Sequence, residues 1–372
     1  MKKLLLASLV SALSVTAAHA APKVYGKLFT GLDYVSKKGI NGGNDVDTWT
    51  LNSNASRFGI KGEDELTPTL SAIYQAEWGI SATLAGADAD KTKDLNARNR
   101  FLGLKSTQLG ALKFGAFDTA LKESQNKVDL FNDMVGESAD MKSVLTGENR
   151  VNRVIGWEAP ELEGLPVKAT LNLILDQGIA PNNTTLPAGG NGKNGDNGFS
   201  GMVAYDQGGI YAALAADQKV VSSYEGTPVS GALGVAADTI RVVGQFDLAK
   251  LMAGPAVTLG ALYQTSQPSE TNALIDQQDA WLISANVKLP ESVGTDALGL
   301  FLQYQQSETS LNVPADDLKR TQFGGGISYA FSKNTAVYGY LAQQKFDSVS
   351  AAGVFARDQK TNILGTALEH KF

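Results

Sequence analysis

The chain ends in the stretch TNILGTALEHKF, residues 361–372, in which apolar and polar side chains alternate. Successive side chains of a β-strand point to opposite faces, so one face of this stretch carries Leu364, Leu368 and the terminal Phe372. The opposite face carries Glu369 and Lys371. The stretch therefore predicts a final β-strand with one apolar face, either in a membrane barrel or at the edge of a soluble domain.

The same period of two recurs along the whole chain. Near its start, Val24, Leu28 and Leu32 share one face, whereas Lys27 and Asp33 share the other. Helical spacing is not sustained in any of these segments. The predicted strands number sixteen and cover about residues 23–35, 48–63, 69–84, 97–106, 110–117, 149–159, 164–175, 198–206, 209–219, 237–249, 254–265, 278–289, 297–308, 321–331, 334–345 and 361–372.

The connections between these strands alternate between long and short. The long ones cover about residues 36–47, 85–96, 118–148, 176–197, 220–236, 266–277, 309–320 and 346–360. The short ones cover residues 64–68, 107–109, 160–163, 207–208, 250–254, 290–296 and 332–333. A soluble sandwich has no reason to sort its loops in this way, whereas outer-membrane barrels have short periplasmic turns and long extracellular loops.

The loop pattern predicts an all-β fold, a 16-stranded antiparallel transmembrane β-barrel with both termini on the short-turn side. In lipid every backbone N–H and C=O group must be paired, so an open sheet edge is not tolerated. The first strand must therefore meet the last, at Phe372.

The first twenty residues are predicted to be a cleaved signal peptide. Lys2 and Lys3 precede an apolar run over residues 4–15, which is too short to span a bilayer, and Ala18 and Ala20 fit the small-x-small cleavage pattern. Cleavage leaves residues 21–372 as a single exported barrel domain and predicts location in the outer membrane.

The charge and the cysteine count exclude several classes of protein. Without Lys2 and Lys3 the 32 Lys and Arg residues become 30, against 38 Asp and Glu, so the net charge is about −8. Such a balance argues against a nucleic-acid partner, because those domains carry basic patches. The chain has no cysteine, so neither a disulfide framework nor a thiolate metal site is possible. We expect no cofactor and no metal.

Several short runs resemble the general trimeric porin family of Gram-negative bacteria, most closely its neisserial-type members. The runs are VYGK at residues 24–27, SRFGIKGEDEL at 56–66, RNRFLGLK at 98–105, RVNR at 150–153, WEAP at 157–160 and the closing HKF at 370–372. Their order and spacing cover the mature chain from end to end. The resemblance implies an outer-membrane channel for passive diffusion of small hydrophilic solutes and ions.

The resemblance also implies partners and an internal loop. Homotrimers are expected, as are contacts with outer-membrane lipid and lipopolysaccharide. Phe372 resembles the terminal aromatic signal that the barrel-assembly machinery reads. The third long loop, residues 118–148, is expected to bend into the barrel as a constriction loop.

Four basic residues match the wall of the constriction in the resemblance: Lys27, Arg57, Arg98 and Arg150. Simple alternation places Lys27 and Arg57 on the polar face of their strands. Arg153 stands where the family more often has a small polar residue, which leaves two candidate arginines, Arg150 and Arg153, for one position.

The acidic side of the constriction is predicted to come from the third loop, at Asp129, Asp133, Glu137 and Asp140. The loop lacks the P-E-F-G-G run of the family, so these acids cannot be assigned one by one. Acids facing bases across a narrow gap would create a transverse field that orients water and dipolar solutes and resists apolar ones.

Aromatic residues near strand ends or on apolar faces are expected at the bilayer interfaces, where amphipathic rings settle. They are Tyr34, Trp49, Tyr74, Trp78, Trp157, Trp281, Tyr304 and Tyr338. An aromatic track for sugars on the lumen face is not evident from the sequence.

The sequence also bears on three other functions. A barrel enzyme is disfavoured because lipases and proteases usually need a histidine base, and the chain has only His19, in the signal peptide, and His370, on the presumed lipid face. A surface barrel acting in adhesion remains open, since residues 176–197 are rich in Asn and Gly. A substrate-specific 18-stranded channel also remains open, whereas 22 strands with a plug do not fit the length.

Overall fold

The computed structural model describes residues 21–38, 45–83, 95–135, 139–177, 197–224, 233–252, 256–272, 275–289, 297–312, 317–347 and 359–372. The predicted signal peptide and Glu137 lie outside the described residues. The strands are β1 Lys23–Lys38, β2 Val46–Ser53, β3 Arg57–Thr67, β4 Leu70–Gly79, β5 Asn96–Ser106, β6 Gly110–Asp118, β7 Arg150–Glu158, β8 Val167–Ile174, β9 Gly198–Gln207, β10 Ile210–Tyr224, β11 Leu233–Asp247, β12 Val257–Pro268, β13 Ile275–Lys288, β14 Leu298–Leu311, β15 Leu318–Ala330, β16 Thr335–Asp347 and β17 Gln359–Lys371.

These segments form one closed antiparallel barrel. From β3 onward each strand pairs with the next, and β17 pairs with β1 from Lys27↔Lys371 to Lys38↔Lys360. The backbone of Phe372 completes the seam, because its N–H donates to the carbonyl of Gly26 and its carbonyl accepts from the N–H of Gly26. The prediction of a barrel that closes at its terminal residue is confirmed.

The second predicted strand, residues 48–63, is broken into β2 and β3, both of which pair with β1. Between them Ala55 has a left-handed φ of 50°, which interrupts the ladder. The Ser56 hydroxyl supplies the hydrogen bonds that the backbone ladder lacks at this point. It accepts from the Phe29 N–H at 3.0 Å and donates to the Phe29 carbonyl at 3.2 Å. Seventeen segments therefore make sixteen strands of the barrel.

The two faces of the strands separate as the sequence predicts. On β17, Leu364, Leu368 and Phe372 are exposed on the outer face, whereas Ile363 and Glu369 are buried inside. An apolar outer face is stable only where lipid replaces water, so the outer surface is the membrane-facing surface.

Several strands are longer than predicted. The region 220–236 was expected to be a loop, but β10 reaches Tyr224 and β11 begins at Leu233. Ser222 and Ser223 lack the side chains typical of strands, yet they pair with Val235 and Gly234. Neighbouring strands in a barrel supply hydrogen-bond partners whatever the local propensity, and tertiary pairing therefore overrides it.

The third long loop folds into the barrel, as expected. We call residues 119–149, between β6 and β7, L3; the structure describes all of it except residues 136–138. L3 contains a helical turn, Ala120–Glu123, capped by Thr119, and a 3-10 turn, Met141–Ser143, capped by Asp140.

Buried apolar side chains fix the course of L3 along the inner wall. Val128 and Met141 belong to a cluster with Leu262 and Leu282 of β12 and β13. Further along the loop, Phe131 belongs to a cluster on β14–β17 and β1. L3 therefore lies along the inner wall from β9 to β17 and reaches β1, and the open part of the lumen faces β3–β7.

The prediction for Tyr338 is wrong. Its hydroxyl donates to Glu369 at 3.1 Å, and Glu369 is on the buried inner face. Tyr338 therefore lies on the lumen side and not at the bilayer interface. Because Tyr338 and Tyr340 are both tyrosines two positions apart, the alternation over this stretch does not say which side is apolar.

Candidate pore constriction

Asp133 of L3 contacts two of the predicted basic residues, on the wall next to the one on which Phe131 packs. Its Oδ2 lies 2.8 Å from Nζ of Lys27 and 3.1 Å from Nη1 of Arg57. Lys27 and Arg57 are direct cross-strand partners on β1 and β3, so their side chains share one face. We call this contact of Asp133 with Lys27 and Arg57 the clasp. It joins L3 to the wall beside the open part of the lumen.

The conformation of Asp133 suits this contact. Its φ of 67° lies in the left-handed region, which aspartate tolerates better than most residues because its short side chain bonds locally. Burial raises the pKa of Asp133, but the charges of Lys27 and Arg57 outweigh burial and hold this pKa below its ordinary value. Asp133 is therefore ionised at neutral pH.

Glu77 of β4 places an acid within the basic wall itself. Its Oε1 accepts from Nε of Arg98 at 2.7 Å, and its Oε2 accepts from the Tyr25 hydroxyl at 3.0 Å and lies 4.0 Å from Nε of Arg57. Glu77 was not predicted as a site residue, although it lies on the polar face of its strand by alternation.

Glu369 of β17 likewise places an acid within the basic wall, beside Lys27. The two side chains approach to 3.4 Å, and Tyr338 donates to the other oxygen of Glu369. Acids are therefore interleaved with bases along the wall from β17 to β5, whereas the sequence predicts acids only on the loop. The mixture arises because β1, β3, β4, β5 and β17 each contribute an inward-facing charged residue.

The structure distinguishes the two candidate arginines of β7. Arg150 donates from Nε to Asn99 at 2.6 Å and lies 3.1 Å from the carboxylate of Asp118, at the entry to L3. Arg153 has a left-handed φ of 57° at a register shift, is exposed, and pairs with Asp176 at 3.3 Å. Only Arg150 therefore lies with the other predicted basic residues.

The two other predicted acids of L3 that the structure describes turn away from the basic wall. Asp129 is buried and accepts from the backbone N–H groups of Phe131 at 3.1 Å and Met141 at 2.8 Å, and from Gln303 at 2.8 Å. Asp140 accepts from the Lys142 N–H at 2.9 Å and caps the 3-10 turn. The structure thus brings Asp133, and neither Asp129 nor Asp140, to the bases.

Asp129 and Asp140 are close enough to share a hydrogen bond, and both are shielded from water. Burial raises the pKa of Asp129 to about 6, although the hydrogen bonds from Met141 and Gln303 favour its charged form. Burial and the neighbouring charge of Asp129 raise the pKa of Asp140 well above its ordinary value. Burial also raises the pKa of Glu123 to about 7.

These raised pKa values make the docking of L3 depend on pH. A carboxyl whose pKa is raised in the docked state stabilises docking fully below its ordinary pKa of about 4. That stabilisation is lost as the pH rises through about 6 for Asp129. We expect L3 amides to be better protected from hydrogen exchange at pH 5 than at pH 8, after correction for intrinsic rates.

Asp140→Asn provides the control for this pH dependence. An amide cannot ionise, so the variant should show a smaller difference in L3 protection between pH 5 and pH 8 than the unmodified protein. Equal protection of the unmodified protein at both pH values would contradict the prediction, as would an undiminished difference in the variant.

Arg241 of β11 anchors both ends of L3, and its side chain is fully buried. Nη1 donates to the Leu121 carbonyl at 3.1 Å and to Glu148 at 2.7 Å. Nη2 and Nε donate to Gln264 Oε1 at 2.7 and 2.9 Å, and Nη2 also reaches the Thr146 carbonyl at 3.4 Å. No motif or spacing in the sequence separates this arginine from the other inward-facing basic residues.

Two wall glutamines hold the middle of L3. Gln303 accepts from the Leu130 N–H at 2.6 Å, and Gln322 donates to the Ala139 carbonyl at 2.6 Å. Loop backbone groups buried in this way would otherwise lack partners. L3 is thus fixed at its two ends, along its middle and at the clasp. Within the described ranges, no three His, Asp or Glu side chains are grouped as metal ligands.

A closed barrel with an apolar outer face, a loop folded into its lumen and charged side chains across the remaining opening defines an outer-membrane channel. Comparison with known families agrees, since the profile of the Gram-negative porin family matches residues 6–348. The chain belongs to this family. It is an outer-membrane protein that forms a channel for passive diffusion of small hydrophilic solutes.

Individual relatives agree with this assignment. The chain is 28% identical over 396 aligned positions to the major outer membrane protein P.IB of Neisseria meningitidis serogroup A, with 100% of both chains covered. Among solved structures, the fold is similar to an anion-selective porin from Comamonas acidovorans, with a TM-score of 0.67, 18% identity, and 95% and 99% of the two chains covered. It is also similar to the trimer form of OmpT from Vibrio cholerae, with a TM-score of 0.59, 17% identity, and 95% and 99% covered.

Proposed function

We propose that the constriction of this channel lies between L3 and the wall of β1, β3, β4, β5 and β7. Lys27, Arg57, Arg98 and Arg150 form its basic side, and Asp133 is the acid that L3 contributes. The observation that carries the proposal is the clasp, because it brings an acid of L3 into contact with two of the predicted bases. Glu137 stays a prediction.

The interleaved acids suggest how the opening treats solutes. Charges at 2.7 to 3.4 Å from their partners largely neutralise one another, so the field across the opening is local and alternating. Such a surface favours water, ions and dipolar solutes over apolar ones, because it offers many polar partners. We propose a weakly selective channel, since Arg98 and Arg150 each have an acid beside them, as the bases of the clasp do.

Arg57→Ala tests this assignment. Arg57 has a quarter of its side chain exposed toward the lumen, so its removal widens the opening and takes away one positive charge. We expect higher single-channel conductance in planar bilayers and a reversal potential in a salt gradient that shifts toward cations. Arg153→Ala, which removes an exposed charge outside the opening, is the matched control. Unchanged conductance and selectivity in Arg57→Ala would remove Arg57 from the constriction.

We propose a homotrimer with one pore in each subunit, in contact with outer-membrane lipid and lipopolysaccharide and assembled by the barrel-assembly machinery through Phe372. The trimer form of a structural relative supports the first part. Closure of the conductance in three equal steps in planar bilayers is the expected sign of three pores. Single independent steps would contradict the trimer.

We propose that the protein is a channel and not an enzyme. His370 lies on the outer face, where its Nδ1 contacts the Thr335 hydroxyl at 2.8 Å. A base in that position faces lipid and no lumen group, so it cannot serve a hydrolytic site in the pore. A role in adhesion, the alternative that the Asn- and Gly-rich residues 176–197 suggested, would be favoured if the purified protein inserted into bilayers without opening pores; those residues, except 176–177 and 197, lie outside the described residues.

A further inference from the structure

Tyr25, Gly59 and Glu77 lie in one row across three neighbouring strands. Tyr25 on β1 is the direct cross-strand partner of Gly59 on β3, and Gly59 is the partner of Glu77 on β4. Neighbouring strands are about 4.8 Å apart, so the backbones of Tyr25 and Glu77 are separated by about 10 Å. The tyrosine hydroxyl nevertheless donates to Oε2 of Glu77 at 3.0 Å. A side chain on β1 therefore holds an acid that is two strands away.

The glycine between the two residues makes this reach possible. A Cβ at Gly59 would lie 2.7 Å from both Cζ and the hydroxyl oxygen of Tyr25, which is closer than two such atoms can approach. The ring therefore crosses β3 at a position that carries no side chain. The ammonium group of Lys61 lies 5.1 Å from the ring centroid, a cation–π contact that packs on the ring. Gly59 thus leaves the space for the ring, and Lys61 helps to keep it there.

The two oxygens of Glu77 have different partners. Oε1 accepts from Nε of Arg98 at 2.7 Å, whereas Oε2 accepts from Tyr25 and lies 4.0 Å from Nε of Arg57. Arg57 instead donates from Nη1 to Asp133 of the clasp at 3.1 Å. Two acids and two arginines are thus sorted into two pairs. The hydroxyl of Tyr25 occupies the oxygen of Glu77 that Arg57 would otherwise bind.

This sorting depends on the hydroxyl because the carboxylate of Glu77 is buried. Only 7% of Glu77 is exposed, so bulk water does not replace a donor that Oε2 loses. A buried acceptor without a partner is destabilising, and more so when it is charged. Without the hydroxyl, the cation beside Oε2 is Arg57, at 4.0 Å. The guanidinium would then turn from Asp133 toward Glu77, because hydrogen bonds between ionised groups are the stronger ones.

We propose that Tyr25 is a positioning residue of the constriction. Its hydroxyl holds Glu77 on Arg98 and thereby leaves Arg57 to bind Asp133 and hold L3. Tyr25 carries no charge at neutral pH, and it acts through the distribution of charge between the wall and the loop. The inference rests on the proposed constriction and adds to it an uncharged residue that determines how the charged ones pair.

Tyr25→Phe tests the proposal, because it keeps the ring and removes only the hydroxyl. We expect the clasp to weaken, so the single-channel conductance in planar bilayers should rise, but less than in Arg57→Ala, which loses the side chain altogether. The reversal potential in a salt gradient should shift toward cations, because Glu77 neutralises Arg57 more fully while Asp133 loses a partner. A shift toward anions would mean that the hydroxyl only supports the charge of Glu77, and it would overturn the proposal.

Two further single variants show whether the hydroxyl bond at this position is the cause. Gly59→Ala keeps the hydroxyl but displaces the ring, so its reversal potential should shift in the same direction as that of Tyr25→Phe. Tyr263→Phe is the matched control, because its hydroxyl also donates to a carboxylate, Asp279, at 3.0 Å, but on the exposed outer face. This control should leave conductance and reversal potential unchanged. Shifts of opposite sign in Gly59→Ala and Tyr25→Phe would contradict the proposal.

The double variant Tyr25→Phe with Glu77→Gln shows whether Tyr25 acts through Glu77. Without the negative charge of Glu77, Arg57 has no second carboxylate to turn to, so the double variant should have the reversal potential of Glu77→Gln alone. Additive shifts would overturn the proposal. So would a lower melting temperature of Tyr25→Phe with an unchanged reversal potential, since the hydroxyl would then serve the fold alone.

Failure of the proposed constriction would give a different result. In that case Arg57→Ala would itself change neither the conductance nor the reversal potential. If Arg57→Ala has its expected effect and Tyr25→Phe has none, the constriction stands and only the role of Tyr25 is wrong.

Discussion

Replacing Arg241 with methionine is expected to give a channel that assembles but whose current is larger and noisier. Methionine fills much of the space of the arginine but donates no hydrogen bond, so both ends of L3 lose their anchor on β11. Removing one partner of a buried ion pair destabilises by about 3–5 kcal/mol, because the other charge stays buried and unpaired. Here the unpaired charge is Glu148, which lies in L3 and can move to water with the loop.

The barrel itself should survive this change. The pairing of β11 with β10 and β12 is made by backbone groups and does not involve the arginine side chain. We therefore expect normal heat-modifiable migration in electrophoresis, together with raised single-channel conductance, more frequent current fluctuations and faster protease cleavage within L3. Conductance and current noise equal to those of the unmodified protein would show that Arg241 does not position L3.

Two matched variants separate positioning from general damage. Glu148→Gln removes the charge but keeps a hydrogen-bond acceptor for Arg241, whose bonds to Leu121 and Gln264 remain, so its conductance and noise should rise less than those of Arg241→Met. Arg153→Met removes an arginine whose ion pair is exposed, and such pairs contribute about 0–1 kcal/mol. This second variant should leave both the conductance and the noise unchanged.

The faces of the strands could be predicted well because alternation depends on local geometry alone. Leu364, Leu368 and Phe372 face outward and Lys27 faces inward, as the period of two requires. The ends of the strands could not be predicted so well. Ser222 and Ser223 have the residue type of a loop. They are extended because the backbone groups of the partner strand bind theirs. The break at Ala55 also depends on a residue distant in sequence, because the Ser56 hydroxyl binds the backbone of Phe29 on β1.

The basic side of the constriction follows from strand position, whereas the acidic side does not. Alternation brings Lys27 and Arg57 inward, and resemblance adds Arg98 and Arg150. For L3, the sequence offers several acids within a dozen residues and no period to sort them. The fold of the loop decides that Asp129 turns inward to bond backbone N–H groups while Asp133 reaches the wall. The anchoring role of Arg241 could not be predicted either, since it depends on both ends of L3 lying beside β11 in the folded protein.

Phe131→Ala is expected to free the end of L3 that carries the clasp. Phe131 is fully buried, and its ring packs edge-on against Phe301 at 5.4 Å and Tyr340 at 6.3 Å. Truncating a buried phenylalanine costs about 3–5 kcal/mol, which here falls on the attachment of L3 to the wall. Because Asp133 is only two residues away, we expect a weakened clasp and a higher conductance. The ion selectivity should shift in the same direction as in the variant Asp133→Asn, which lacks the charge that binds Lys27 and Arg57.

Gly324→Ala offers an independent route to the same loss. A Cβ at this position would lie 2.6 Å from Cζ of Phe131, so the ring would have to move away from β15. The variant keeps Phe131 and changes only the surface of β15 on which its ring packs. Similar rises in conductance for Gly324→Ala and Phe131→Ala would therefore identify the packing of this ring as the cause.

The double variant Phe131→Ala with Asp133→Asn decides whether the two residues act together. If Phe131 acts by holding Asp133 against Lys27 and Arg57, the reversal potential of the double variant should equal that of Phe131→Ala alone, because the clasp is already lost. Additive shifts in reversal potential would instead mean that the clasp persists without the aromatic anchor. In that case the ion pairs at 2.8 and 3.1 Å would suffice to hold the end of the loop, and the fixed width of the opening would come from charge and not from packing.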